Sequence, residues 1–180
     1  GVGNVAFGSL ALSDNVDGYY NTAIGTGALD SNTGGSSNTA TGRNALKQNT
    51  TGNSNTANGY YALLNNTTGV YNNAFGVNSL LNNTVGGSNS AFGNGALFEN
   101  TTGNSNIAVG RGALGSNTTG SNNTANGFSA LGANQTGIHN TAIGSIALSE
   151  VTVGSRNTAI GHNSGGTAIG SGNVFLGYEA

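Results

Sequence analysis

Apolar side chains recur along this chain in one fixed phrase. Residues 21–37 read NTAIGTGALDSNTGGSS, and residues 38–54 read NTATGRNALKQNTTGNS. The phrase opens at Asn4, Asn21, Asn38, Asn55, Asn72, Asn89, Asn106, Asn123, Asn140 and Asn157, each 17 residues after the last. Such a period decides the architecture before any other feature does. Numbered from its Asn, the unit reads N-T-A-x-G-x-x-A-L-x-x-N-T-T-G-x-x. Position 3 is Ala from Ala6 to Ala159, and position 5 is Gly from Gly8 to Gly161. Position 9 is Leu from Leu12 to Leu148, and position 15 is Gly from Gly18 to Gly154.

The unit is too short for a helix-turn-helix repeat and lacks a 3.6-residue apolar period, so the pattern predicts short strands. In N-T-A-x-G, alternation sends positions 2 and 4 to one face and position 3 to the other. A face made of Ala and Gly must lie against something very close. The fold predicted is all-β, a parallel β-solenoid with one coil per unit. Each coil has a strand at N-T-A-x-G, a turn, a second extended segment around x-A-L, and a return turn at N-T-T-G. Stacked at about 4.8 Å, ten coils span about 48 Å. At position 12, Asn15, Asn32, Asn49, Asn66, Asn83, Asn100, Asn117 and Asn134 are placed to stack as an amide ladder or to bond local backbone.

The array is assigned to residues 1–165, as nine full units from Asn4 to Arg156 and a truncated tenth. Residues 166–180 read as shortened terminal repeats, with Gly166-Thr167-Ala168-Ile169-Gly170 followed by Asn173-Val174-Phe175-Leu176-Gly177. A downstream region is expected beyond them, and the start at Gly1 without Met is expected to mark a piece of a longer protein.

Position 4 sits opposite the lumen. It is apolar in Phe7, Ile24, Phe75, Phe92, Val109, Ile143, Ile160, Ile169 and Leu176, and polar in Thr41, Asn58 and Asn126. In a lone rod this strip faces water, and an apolar stripe of that length is an association surface. Cyclic self-association about the long axis would bury it.

Composition changes the picture mainly by exclusion. Glycine numbers 33, charged residues make up 6%, and Pro, Cys, Met and Trp are absent. Disordered chains are typically charged and Pro-rich, whereas here Ala, Leu and Gly keep register, so order is expected. Four basic residues and a net charge of -2 argue against a nucleic-acid partner. No run of about 18 apolar residues exists to span a bilayer as a helix, and no signal segment opens the chain.

The elements Asn21-Thr22-Ala23-Ile24-Gly25, Asn140-Thr141-Ala142-Ile143-Gly144 and Asn157-Thr158-Ala159-Ile160-Gly161, with Gly166-Thr167-Ala168-Ile169-Gly170, resemble the N-S-V-A-I-G element of trimeric autotransporter adhesin head repeats. The resemblance covers nearly the whole chain. It implies a trimer of left-handed parallel β-rolls with the inner strands around the axis, exported to a cell surface, where heads bind host matrix or cells. The inserted A-L-x-x-N-T-T-G departs from the common head repeat, and no neck, stalk or membrane anchor lies within the chain. The closing segment is also similar to the ends of repeat arrays in phage tail-fibre-like proteins.

Candidate chemistry is sparse. His139 and His162 occupy different unit positions and have no acid or Cys at ligand spacing, so no metal is expected. The acids do not recur coil after coil, which argues against regular calcium coils. Gly86-Gly87 lacks a following Lys-Ser/Thr and reads as turn glycine rather than a phosphate loop. Sequons such as Asn49-Thr50-Thr51 and Asn66-Thr67-Thr68 fall at the same turn each time, and turn chemistry explains them without glycosylation. Tyr19, Tyr20, Tyr60, Tyr61, Tyr71 and Phe128 lie just before a unit or just after its Gly, and are candidate contacts for sugar or protein.

The function expected is a structural, adhesive, non-catalytic extracellular fibre module. It would be a homotrimer with an unknown surface receptor, matrix protein or glycan as partner, and without cofactor. The alternative is a phage tail-fibre shaft or receptor-binding segment on a virion. An ice-binding solenoid is disfavoured because Asn73, Ser90 and Ile107 interrupt the position-2 threonines. A glycan-cleaving solenoid needs paired carboxylates in one cleft, and Asp14 with Asp17 at a terminal turn is a weak candidate.

Overall fold

A computed structural model describes residues 1–167 and 170–180. The strands are β1 (Val5–Phe7), β2 (Thr22–Ile24), β3 (Thr39–Thr41), β4 (Thr56–Asn58), β5 (Asn73–Phe75), β6 (Ser90–Phe92), β7 (Ile107–Val109), β8 (Thr124–Asn126), β9 (Thr141–Ile143), β10 (Thr158–Ile160) and β11 (Val174–Leu176). They form one 11-stranded parallel sheet in sequence order. Partners are Ala23 with Ala40 and Ala40 with Ala57, so like residues stack on like, one unit apart. The fold is the predicted parallel β-solenoid, with one coil per 17-residue unit.

The predicted second extended segment around x-A-L is not a strand. It is a turn, in which the Ala28 amide donates to Gly25 O at 3.2 Å and the Asn32 amide to Leu29 O at 3.2 Å. The reason lies in the lumen. Ala28 and Leu29 are adjacent, and both are fully buried. An extended strand would send consecutive side chains to opposite faces. A left-handed kink turns both inward, and every position-9 Leu, from Leu12 to Leu148, takes φ between 50° and 56°. Each costs about 1–2 kcal/mol for an L-residue, against about 1.5–3 kcal/mol for burying a Leu side chain. The turn still stacks, since the Leu29 amide donates to Ala45 O of the next coil at 3.0 Å.

Two Asn ladders line the core. Along position 12, Asn32 Nδ2 donates to Asn15 Oδ1 at 2.8 Å and to Gly35 O at 2.9 Å, and the pattern repeats to Asn134. Both alternatives offered for these residues are therefore realised together. Position 1 carries a second ladder. The Asn38 backbone amide donates to Asn21 Oδ1 at 2.9 Å, and Asn38 Nδ2 to Gly52 O at 2.8 Å. The two ladders meet on the position-15 carbonyl, because Gly52 O also accepts from Asn49 Nδ2 at 3.0 Å. A Cβ on Gly52 would lie 2.4 Å from Asn49 Oδ1 and 2.4 Å from Gly69 O, which is why only Gly occurs there.

The last coil differs. β10 pairs β11 with Ala159 against Phe175, a spacing of 16. Position 9 here is Gly165, and position 3 of the following coil is Phe175. A Cβ on Gly165 would lie 2.7 Å from the Phe175 ring and 2.9 Å from Leu148 Cδ2. The aromatic ring fills the volume that Leu supplies elsewhere. Gly166 and Thr167 sit in a turn of this coil, while Ala168 and Ile169 of the quoted Gly166–Gly170 element lie outside the described residues.

Candidate binding surfaces

The outward face of the sheet carries positions 2 and 4 of every strand. Ile24, Phe75, Phe92, Val109, Ile143 and Ile160 are 37–44% exposed, and Phe7 and Leu176 at the sheet ends are 75% and 65% exposed. The strip is therefore open along the rod in a single chain, with Ile169 outside the described residues. Phe75 and Phe92 stack in adjacent coils with ring centroids 5.1 Å apart and planes 7° apart. Thr41, Asn58 and Asn126 interrupt the strip on the same face.

The aromatic candidates do not form one surface. Tyr19, Tyr20 and Tyr71 lie at the position 16–17 corner, where Tyr19 and Tyr20 meet edge to face at 5.3 Å. Tyr60, Tyr61 and Phe128 lie at the position 6–7 corner. Tyr60 and Tyr61 have centroids 3.9 Å apart, and Arg43 lies 5.8 Å over the Tyr60 ring. The side-chain hydrogen bond between these two phenols pushes the Tyr60 pKa up and the Tyr61 pKa down. Burial adds to the rise at Tyr60, and Asn44 and Arg43 further favour the Tyr61 phenolate.

An open groove of about 430 Å³ crosses the middle of the array, and the sequence reading missed it. Phe98, Glu99, Arg111 and Phe128 line it together with Asn94 and Ser116. The Arg111 guanidinium lies 4.7 Å over the Phe128 ring. Asn82 Nδ2 donates to Glu99 Oε2 at 2.9 Å. The signal in the sequence was an absence: position 10 holds Leu64, Leu81 and Phe98 in three successive coils, then Gly115 and Gly132.

Of the other residues weighed, Asn49 and Asn66 of the sequons are fully buried, with their amides committed to the ladder. Ser13 Oγ bonds Asp30 Oδ1, and Asp30 meets Lys47 at 3.8 Å, so this acid joins side-chain contacts between neighbouring coils. Among the described residues no group of three His, Cys, Asp or Glu is placed to hold a metal ion, and no helix is long and apolar enough to cross a membrane. Comparison of the chain with known protein families, with curated proteins and with solved structures finds no match in any of the three.

Proposed function

We propose that this chain is a structural and adhesive module of an extracellular fibre, a homotrimeric rod at a cell surface that presents contacts to matrix, cells or glycans and catalyses nothing. The observation that carries the reading is the outward face of the sheet. None of its position 2 and 4 side chains is charged in any of the 11 strands. Its apolar strip runs the length of the array. Three parallel copies around the long axis bring the strips together, and Thr41, Asn58 and Asn126 then pair with their symmetry mates. The resemblance of the N-T-A-I-G elements to adhesin head repeats supports the same assembly.

Self-association and adhesion are separable. Beads coated with the chain and washed over cell monolayers and immobilised matrix proteins are expected to be retained above albumin-coated beads. Retention no greater than albumin would contradict adhesion and leave a spacer.

A further inference from the structure

In a solenoid built from one phrase, a site shows where the phrase is broken locally. Counting coils from Asn4, the groove spans coils 6 to 8, which begin at Asn89, Asn106 and Asn123. It is deepened by Gly95 and Gly112 at position 7 and by Gly115 at position 10. A Cβ on Gly95 would meet nothing within 4 Å, and one on Gly112 only Ser129 Oγ at 3.5 Å. The backbone does not demand glycine at these two places. Their φ values are 64° and 67°, and Asn44 and Asn78 hold the same position at 58°. Glycine here leaves space rather than permitting a turn.

The groups around that space are of three kinds. Arg111 is a cation that rests on the Phe128 ring, and no carboxylate lies within ion-pair distance of it among the described residues. A guanidinium so placed favours a bidentate carboxylate. Glu99, oriented by Asn82, is an acceptor, and Asn94 and Ser116 supply an amide and a hydroxyl. Phe98 and Phe128 add apolar surface. A simple anion would use Arg111 and be repelled by Glu99, whereas a polyol gives Glu99 the hydroxyl donors it accepts. A groove of this size falls in the range of about 300–1,000 Å³ that holds small ligands.

We propose that this groove binds a saccharide unit carrying a carboxylate, a sialic or uronic acid, with Arg111 pairing the acid, Glu99 accepting from ring hydroxyls and the two Phe rings covering an apolar ring face. This deepens the adhesive reading and rests on it for its biological role, but the binding step is tested alone.

The test is titration of the ¹⁵N-labelled full chain with N-acetylneuraminic acid, glucuronic acid, glucose, inorganic phosphate and a short acidic peptide. At least one of the two acids is expected to shift the amides of Gly95, Gly112 and Gly115 saturably, with glucose and phosphate roughly tenfold weaker or silent. Arg111→Gln should weaken the acid by about tenfold. Gly112→Asn, which copies the residue found at this position in other coils, should fill the groove and abolish the shifts while leaving the rest of the spectrum unchanged. A folded chain unshifted by either acid overturns the proposal. So does glucose or phosphate binding as well as the acids, or preference for the peptide. If acids bind yet coated beads are not retained, the groove stands and the adhesive role falls. If beads are retained equally by Arg111→Gln and acids do not bind, the reverse holds.

Discussion

On each strand the inward and outward side chains are held to different standards. Position 3 is Ala in every strand from β1 to β10, and from Ala23 to Ala159 each is fully buried. One residue further on, the outward position carries Phe, Ile, Val, Thr or Asn without disturbing the stack. Inside, a coil meets its neighbours at backbone distance, and one methyl too many has nowhere to go. Outside, a single chain imposes no such test. Identity of the repeat therefore reports the fold, and departures from it report what the surface does.

The comparison breaks most severely in the ladder. Asn83→Val in the middle removes the donor to Asn66 Oδ1 and the acceptor of Asn100 Nδ2, both buried. It should cost about 3 kcal/mol in urea denaturation. Asn134→Val should cost about 1 kcal/mol, because Asn134 Oδ1 already lacks a partner where Val151 ends the ladder. The orphan oxygen then moves one coil back rather than being created. Equal costs would mean that the ladder acts site by site, without the end effect.

The last coil offers a second break, between Gly165 and Phe175. Phe175→Ala leaves a void and Gly165→Leu overfills it, whereas the double variant restores the residues that the other coils carry. A double-mutant cycle should return a favourable coupling of about 2 kcal/mol. A coupling near zero would show that the ring does not replace the missing Leu.

Outward changes should be smaller for a lone coil stack. Ile24→Thr copies Thr41 from the neighbouring coil and should alter unfolding by less than about 0.5 kcal/mol under monomeric conditions. The smallest expected effect leaves stability alone. In a spectrophotometric alkaline titration, Tyr61 should ionise below the ordinary tyrosine range and Tyr60 above it, and Tyr60→Phe should move Tyr61 back up.

Much of what repeats was legible in the sequence. The strand at N-T-A-x-G, the lumen alanines, the outward strip and the position-12 ladder all follow from period and alternation. The turn at x-A-L was not, because two adjacent buried residues require a left-handed Leu, which alternation does not anticipate. The position-1 ladder was hidden because its Asn read as the start of a strand, while the side chain reaches sideways to the next coil's amide. The candidate site was half visible. Phe128 stood out as an aromatic, but the groove beside it is made by Gly95, Gly112 and Gly115, residues that in a Gly-rich chain read as turns. Tyr20 just before a unit and Tyr60 just after its Gly were told apart by place in the sequence, and those places are different corners of the coil.

The outward strip as a seam between copies is most directly tested by the solution mass of the chain, measured by light scattering across a dilution series. The proposed assembly predicts three times the 17.6 kDa chain mass, retained on dilution. A folded species of 17.6 kDa at every concentration would contradict it.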